Sequence, residues 1–308
     1  MTNLHATKED REETKEIIRI LREDYDQYES LEDSRNREKI LGKLNEIVTE
    51  WIKEVSEKTG KTKEFIEQSS GKIFTFGSYR LGVHSKSTDI DALCVAPRHV
   101  DRENHFFGML AGKLEANPDV RNLTQVKNAH VPRIGMEFMG VEIDLVFARI
   151  SYETVGSNLP DLLDDDVLKN CDEDTVRSLN GNRVADIILR EVPNVENFRT
   201  TLRCIKLWAK SRGIYSNVLG YFGGVTWMIM VAIICKMFPN LEPNKLLYYF
   251  FEYYMKWDWN YRNPLMLVPV SHENEFKLNA DLFYKENRDH LMPVLTPAYP
   301  AMNSTHNV

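Results

Sequence analysis

The 308-residue chain lacks the features of a secreted, zinc-binding or membrane-spanning protein. Its four cysteines (Cys94, Cys171, Cys204 and Cys235) show no CxxC spacing, which predicts reduced thiols rather than disulfides or a zinc site. The most apolar stretch, residues 223–235, is shorter than the roughly 20 apolar residues needed to span a bilayer. The first residues are polar and do not resemble a signal peptide. We therefore expect a soluble intracellular protein with no membrane partner.

Excess positive charge and a P-loop are also missing. The sequence has 39 basic and 46 acidic residues, a formal net charge of −7, which argues against nucleic-acid binding over the whole surface but allows a local basic groove. No G-x-x-x-x-G-K-[ST] motif occurs, which disfavours a P-loop fold. Hydrophobic residues make up 43% of the chain, an ordinary globular value, and its length predicts two domains.

Hydrophobic periodicity divides the chain into a mixed half and a helical half. Helical spacing predicts a surface helix within 7–30 and a buried-face helix over 34–58. Short β-type runs then follow at 72–76 and 89–96 and within 128–148, around a predicted helix at 105–117, which indicates a small α/β sheet. The acidic stretch 159–181 is predicted to be a loop. From Val195 onward the pattern is helical.

The segment "FTFGSYRLGVHSKSTDIDALCVAP" places two aspartates at the start of an apolar strand. Asp89 and Asp91 share one face because strand side chains alternate, and Ile90 points into the core. A third carboxylate, Asp144, stands between Ile143 and Leu145 in another apolar run. If the two strands are neighbours, the three carboxylates complete a two-metal site for phosphoryl or nucleotidyl transfer.

A D-x-D pair alone indicates no more than solvated carboxylates on a surface strand. Three further features favour metal ligands. Gly77 and Ser78 follow a strand and offer backbone N–H groups and a hydroxyl to phosphates. Ser85 and Lys86 lie in the loop before the acids, and Asp144 has its own apolar strand. The combination predicts a metal-dependent transfer site.

The other acidic and histidine residues form weaker candidates. Asp164–Asp166, Asp172 and Asp174 have no apolar strand behind them and are predicted to lie in a solvated loop. Four histidines show no metal-ligand spacing, and polar surface roles are expected for them: His84, His99, His105 and His130.

The helical half carries a basic face, defined by Arg199, Arg203, Lys206 and Lys210 at steps of four, three and four. A charged helix face is usually just solvated, and that alternative holds for its outer members. Opposite a metal site, the basic face would hold phosphates. Tyr215 and Asn217 would stack on and hydrogen-bond a base, and Gly223–Gly224 would allow close backbone approach. The aromatic run 246–259 is predicted to fill the core, with Trp257 and Trp259 open to either role.

These motifs closely resemble those of the eukaryotic poly(A) polymerases, members of the polymerase-β-like nucleotidyltransferase superfamily. "FGSYRLGVHSKSTDIDALCVAPRHV" resembles the catalytic signature of the family. Three further segments are similar in the same order: "RSLNGNRVADIIL", "FRTTLRCIKLWAKSRGIYSNVLGYFGGVTW" and "LMPVLTPAYPAMNSTHNV". The resemblance implies an α+β fold: a nucleotidyltransferase (palm) domain with a small mixed sheet over 1–192, helical over 1–60, then a mainly helical central domain over 193–308. It also implies an RRM-like RNA-binding domain in relatives, which this sequence does not include.

The resemblance assigns roles to individual positions. Asp89, Asp91 and Asp144 would be the catalytic triad and would bind two Mg²⁺ or Mn²⁺ ions. Ten further residues would contact the incoming ATP: Phe76, Gly77, Ser78 and Ser85 at the nucleotide and its phosphates, Lys206 and Tyr215 at the triphosphate, and Asn180, Asn217, Gly224 and Val225 at the adenine and ribose.

The resemblance also implies the reaction and the setting. The expected function is template-independent addition of AMP from ATP to the 3′-hydroxyl of RNA, by a monomer in the nucleus (the cytoplasm is the alternative), with mRNA cleavage and polyadenylation factors as partners. Two other functions stay open from the residues: a uridylyl- or CCA-adding enzyme, and a catalytically silent RNA-binding scaffold. The presence of all three carboxylates and the lysine argues against the scaffold.

Overall fold

A computed structural model describes residues 4–86, 88–156, 159, 161–268 and 289–305. Ser87 of the catalytic motif, part of the predicted central domain and the last three residues of the C-terminal motif lie outside this range. Nine α-helices are described, namely α1 Lys8–Glu23, α2 Leu31–Lys58, α3 Lys63–Gln68, α4 Gly77–Arg80, α5 Ala111–Glu115, α6 Glu173–Glu191, α7 Val195–Ser211, α8 Gly224–Met237 and α9 Pro243–Lys256. Within the described ranges, no helix combines the length and apolarity needed to cross a membrane.

The chain divides into two compact units. The sheet unit comprises residues 29–80 and 86–183, and the helical unit comprises residues 1–28, 81–85 and 184–308. These units group the residues differently from the predicted halves, because 1–28 and 81–85 belong to the helical unit. The predicted domain boundary after residue 192 stays a prediction.

The sheet unit is built on one mixed five-stranded sheet with the order β1-β2-β5-β4-β3. Its strands are β1 Lys72–Thr75, β2 Ile90–Ala96, β3 Val120–Val126, β4 Arg133–Phe138 and β5 Val141–Arg149. The central pair, β2 and β5, is parallel, and the other pairs are antiparallel. The two strands that carry the predicted carboxylates are therefore adjacent, which confirms the small mixed sheet expected from the sequence.

Helix α2 covers one face of this sheet. Its residues Ile40, Leu44, Trp51 and Val55 are fully buried at the spacing that predicted the helix. The Trp51 ring meets Phe147 of β5 edge to face, with 6.4 Å between ring centroids. Ser30 caps the helix by accepting a hydrogen bond from the backbone N–H of Asp33, which sets its start before the predicted Ser34.

Two local predictions were incomplete or wrong. The predicted helix at 105–117 is a π-helical segment, Arg102–Leu110, that continues into α5. The predicted loop at 159–181 is wrong over its last part, because α6 begins at Glu173. The carboxylate of Asp172 accepts a hydrogen bond of 2.8 Å from the backbone N–H of Thr175, so the acidic cluster supports a helix start.

The helical unit packs the end of α6 with α7, α8 and α9 around one core. Every residue of α8 from Thr226 to Cys235 is buried, which confirms the prediction of a buried helix at 223–235. In α9, Phe250 and Tyr254 are buried, and the Tyr254 hydroxyl donates to the backbone oxygen of Met230 at 2.7 Å. The Trp259 indole N–H donates to the Tyr254 backbone oxygen, which adds to the core-filling role expected for the aromatic run.

The helical unit also contains a short strand pair. The strands β6 Leu265–Met266 and β7 Val294–Leu295 pair in parallel, which fixes the last described segment on this unit.

Candidate active site

Three carboxylates meet at one edge of the central strand pair. Asp91 of β2 and Asp144 of β5 are direct register partners, and Asp89 stands just before β2 begins. One ligand oxygen from each lies within 4.8 Å of the others. Within the described part of the chain, this is the single group of three or more acidic, histidine or cysteine side chains close enough to hold a metal ion. The predicted juxtaposition of Asp144 with the D-x-D pair is therefore present.

The apolar residues between these acids explain why they face outward. Ile90, Ile143 and Leu145 are at most 1% exposed, because they point into the core. Strand alternation then turns Asp91 and Asp144 to the opposite face, where both are partly exposed. Asp89 is exposed.

Burial and neighbouring charges perturb the carboxyl of Asp144. Burial raises the pKa of the Asp144 carboxyl above its usual range, and the nearby Asp89 raises it further. Arg133 opposes this rise, with its Nε atom 3.0 Å from Asp144 Oδ2. Oxygen donors in a group of like charge are the ligands that hard divalent cations such as Mg²⁺ take in proteins, so the three residues fit a divalent metal.

Gly77 lies directly against the second carboxylate. Its φ is +60°, a left-handed conformation that favours glycine, and an added Cβ would stand 2.1 Å from Asp91 Oδ2. The preceding residue is tied to the same strand, since the Phe76 backbone N–H donates to the Asp91 carbonyl at 3.0 Å. Gly77 and Ser78 begin the single helical turn α4 rather than an open turn, and their contact with phosphates stays a prediction.

The middle of α6 packs against the end of β1 and the residue that follows it. An added Cβ at Gly181 would lie 2.7 Å from the Phe76 ring, so the ring packs on the helix backbone at that point. Asn182 donates from its amide to the Thr75 carbonyl at 2.9 Å. These contacts place Asn180, a predicted nucleotide contact, one residue from the Phe76 packing site.

A cleft of about 210 Å³ opens beside the triad. Asp89 and Asp144 line it together with Asn122 and Thr124 from β3 and Gly135 from β4. The cleft is therefore lined by carboxylate, amide and hydroxyl groups. Groups of this kind can bind a phosphate ester together with its metal ion.

Four of the predicted nucleotide contacts of the helical unit lie together near the start of α8: Tyr215, Asn217, Gly224 and Val225. An added Cβ at Gly224 would lie 2.9 Å from the Tyr215 hydroxyl oxygen, and one at Gly223 would lie 3.3 Å from Asn217 Cβ. Val225 is 38% exposed. Lys206 is partly buried on α7, and Ser85 is a partly buried residue of the same unit. The roles of these residues toward a nucleotide stay predictions.

The predicted basic face is wrong for Arg203, which is buried within the helical unit. Arg203 is 8% exposed, donates to the backbone oxygens of Gln27 and Gly82, and stacks its guanidinium 4.2 Å from the Tyr28 ring centroid. Burial lowers the pKa of the Arg203 guanidinium. Arg199 donates to the Leu81 backbone oxygen at 2.8 Å. Because both side chains bind backbone carbonyls inside the helical unit, both stabilise its structure. A phosphate-binding role for Arg199 stays a prediction.

Two other groups also differ from expectation. The acidic residues predicted to be solvated are paired: Asp172 and Asp174 contact Arg102, and Asp165 contacts Arg183. His99 has no simple surface role, because its Nε2 is 2.9 Å from the Ser56 hydroxyl and its ring meets Phe65 edge to face.

The sequence reasoning missed Arg133 and Gly135. Gly135 is the register partner of Asp144, and Arg133 lies two residues earlier on the same face of β4. The signal was present in "VPRIGMEFMGVEIDLVFA", because a hairpin turn at Met139–Gly140 fixes the register of its two arms. Only the pairing shows that this arginine and this glycine stand beside the third carboxylate.

The two units together have a nucleotidyltransferase fold. Solved structures with this fold include the Cid1 poly(U) polymerase bound to MgGTP (TM-score 0.64, 14% identity, 97% of this chain and 88% of that one). A cytoplasmic RNA terminal U-transferase matches with a TM-score of 0.63 at 12% identity, over the same shares of the two chains. At these identities the likeness concerns the fold alone.

The sequence comparisons are more specific. Residues 1–192 match the family model of the poly(A) polymerase nucleotidyltransferase domain, and residues 197–308 match that of the poly(A) polymerase central domain. The chain therefore belongs to the poly(A) polymerase family. It is 49% identical over 283 residues to a poly(A) polymerase of Dictyostelium discoideum, and 47% identical over 296 residues to nuclear poly(A) polymerase 1 of Arabidopsis thaliana. These matches cover 91% and 96% of this chain but only 34% and 41% of the two relatives.

Proposed function

We propose that this chain carries the catalytic centre of a template-independent poly(A) polymerase, which transfers AMP from ATP to the 3′-hydroxyl of RNA. The observation that carries the proposal is the register pairing of Asp91 with Asp144, with Asp89 beside them at an open cleft. The family to which the chain belongs supports adenylyl transfer, and the names of the Arabidopsis relatives support a nuclear location.

The three carboxylates would hold two divalent ions, Mg²⁺ or Mn²⁺. Bound there, the ions would lower the pKa of the RNA 3′-hydroxyl and offset the charge of the departing pyrophosphate. In the reaction, the 3′-oxygen loses its proton and attacks the α-phosphorus in line. The new phosphodiester bond forms as the bond between the α-phosphorus and the bridging oxygen to the β-phosphate breaks, which releases pyrophosphate.

The protein's own residues would position the reactants. In the sheet unit, Gly77 and Ser78 would orient the triphosphate beside Asp91, and Phe76 and Asn180 would contact the nucleoside. In the helical unit, Lys206 and Tyr215 would bind the triphosphate, while Asn217, Gly224 and Val225 would contact the adenine. Ser85 would contact the phosphates. Most of the rate enhancement would come from positioning and charge stabilisation.

Primer extension tests this proposal directly. A labelled oligo(A) RNA is incubated with each NTP separately, in Mg²⁺ or Mn²⁺, with the wild-type chain, Asp91→Asn and the control Asp166→Asn. Asp166 is an exposed acid of the same unit that pairs with Lys169, so its substitution removes the same charge away from the triad. We expect extension with ATP, reduced about 1000-fold or more in Asp91→Asn and unchanged in the control.

The other outcomes separate the remaining candidates. Extension with UTP or CTP in place of ATP would retain the transfer chemistry and reject adenylyl specificity. Failure of the folded chain to extend the primer with any NTP would overturn the proposal for this chain and favour a silent RNA-binding scaffold. Monomeric state and association with mRNA cleavage and polyadenylation factors are further parts of the proposal, and sedimentation alone and with such factors would test them.

A further inference from the structure

A cation already occupies one oxygen of the third carboxylate. The Nε atom of Arg133 lies 3.0 Å from Asp144 Oδ2, and both side chains are only about one third exposed, at 38% and 35%. The ion pair thus engages one of the three carboxylates of the candidate metal site.

The strand register explains how the arginine reaches this position. Gly135 is directly opposite Asp144, and Arg133 is its diagonal neighbour two residues along β4. An added Cβ at Gly135 would stand 3.3 Å from Asp144 Oδ1 and 3.0 Å from the Thr124 hydroxyl. The missing side chain therefore leaves Asp144 open on the side from which a long residue at 133 can contact it.

The same carboxylate cannot serve both partners fully. Three carboxylates within 4.8 Å of one another repel, and the guanidinium offsets part of that repulsion when no metal is bound. A divalent ion at the triad draws on the negative charge of the same carboxylate and is itself repelled by a nearby guanidinium. Breaking the ion pair between Arg133 and Asp144 therefore costs free energy when a metal ion binds.

We propose that Arg133 is an internal competitor of the metal: it holds Asp144 in the metal-free protein and is displaced from that carboxylate when a divalent ion binds. The inference rests on the metal site of the proposed function and adds a regulation of that site. The ion pair makes the affinity of the site for a divalent ion lower than the three carboxylates alone would give. The opposite arrangement, in which Arg133 orients Asp144 for the metal, predicts the reverse effect of its removal.

Measuring metal binding in the absence of nucleotide and RNA distinguishes the competitor role of Arg133 from the orienting role. Free Mn²⁺ is measured by electron paramagnetic resonance during titration of the full 308-residue chain. The variants are Arg133→Met and the control Arg121→Met, which removes an equal charge from the exposed end of β3. We expect Arg133→Met to bind Mn²⁺ about tenfold more tightly, and Arg121→Met to differ from wild type by less than about twofold, since salt screens exposed charges.

A double-mutant cycle localises the effect to the ion pair. In the Asp144→Asn background the carboxylate charge that attracts Arg133 is gone, so adding Arg133→Met should no longer tighten Mn²⁺ binding. Thermal unfolding gives a second readout. Arg133→Met should lower the melting temperature of the metal-free chain and enlarge the rise caused by Mn²⁺, because only the metal-free form loses a counter-ion. If Arg133→Met does not fold, Arg133→Gln takes its place.

The outcomes separate this inference from the proposed function. If Asp91→Asn leaves Mn²⁺ binding unchanged, the triad is not the metal site, and both proposals fail. If the triad binds Mn²⁺ but Arg133→Met weakens binding or leaves it unchanged, the competitor role is overturned while the proposed function stands. An equal gain in Mn²⁺ affinity in Arg121→Met would likewise overturn the competitor role, because the gain would then come from the change in net charge and not from loss of the ion pair.

Discussion

The arginines of α7 and the aspartates of the central strands use their charge in opposite ways. Arg199 and Arg203 lie in the helical unit and donate to backbone carbonyls of that unit. In the sheet unit, Asp89, Asp91 and Asp144 lie within 4.8 Å of one another on a face that opens into a cleft. The fold pairs the arginines with backbone carbonyls, whereas it brings the three carboxylates close together.

The difference shows what makes a charged cluster a candidate site. A guanidinium that binds carbonyl oxygens lowers the free energy of the folded state, and its removal leaves buried acceptors unsatisfied. Clustered carboxylates raise the free energy of the folded state until a cation binds. Substitution should therefore cost stability in the first group and activity in the second.

The largest expected effect is on stability, at Arg203. Arg203→Met keeps most of the side-chain volume but leaves the Gln27 and Gly82 carbonyls without their donor and removes the stacking on Tyr28. We expect a loss of roughly 3 to 4 kcal/mol in the free energy of unfolding, measured by urea denaturation. The control Arg212→Met removes an exposed arginine just after α7 and should cost less than about 0.5 kcal/mol. Similar losses in both variants would contradict the structural role of Arg203.

The next effect is on activity, at Gly77. An alanine there would place Cβ 2.1 Å from Asp91 Oδ2, so the carboxylate must move by about 1 Å or more to relieve the clash. We expect kcat for AMP transfer to fall about 100-fold, the cost of such a displacement at a reacting centre. Left-handed strain at φ +60° adds about 1 kcal/mol of destabilisation.

Gly42→Ala is the matched control for Gly77→Ala. Gly42 lies in the middle of α2 in the same unit, and an added Cβ there meets no atom within 4 Å. Alanine should leave the activity intact and raise the free energy of unfolding by up to about 1 kcal/mol. If Gly77→Ala retained wild-type activity, the close approach of the Gly77 backbone to Asp91 would have no catalytic importance.

The sequence predicted the triad well because strand periodicity is local. Alternation alone put Asp89 and Asp91 on one face, and the apolar neighbours of Asp144 showed that it too follows a buried strand. The single non-local step was that β2 and β5 are neighbours. That step succeeded because two buried apolar strands of one small sheet have few other places to pack.

The failures concern partners that periodicity cannot reveal. The steps of three and four correctly placed Arg203 on one face of α7, but its acceptors, Gln27 and Gly82, are more than 120 residues away in sequence. The contact of Arg133 with Asp144 likewise needs the β4–β5 register. The start of α6 at Glu173 was missed because acidic residues suit both a solvated loop and the first turn of a helix.

The smallest expected effect is a loss of folding stability at low pH, caused by His99 of the sheet unit. Burial lowers the pKa of His99 from 6.5 to about 4, and the positive charges of Lys61, His105 and Arg98 act in the same direction. The folded state therefore binds this proton less readily than the unfolded chain. The stability that neutral His99 contributes is complete above about pH 6.5 and is lost as the pH falls towards 4. We expect a loss on the order of 1–2 kcal/mol between pH 7 and 4.5, reduced from the full shift because His99 is only partly buried.

Hydrogen exchange at several pH values would localise this loss. Protection of the amides of α2, whose Ser56 contacts His99, should fall with acid more steeply than protection of α8 in the helical unit. His99→Gln retains a hydrogen-bonding group opposite Ser56 but does not titrate, so the extra acid sensitivity of α2 should disappear in that variant. An equal loss of protection in both units, or a slope in α2 that His99→Gln leaves unchanged, would assign the acid sensitivity to other groups. In that case the contrast between the units would rest on the carboxylates and arginines alone.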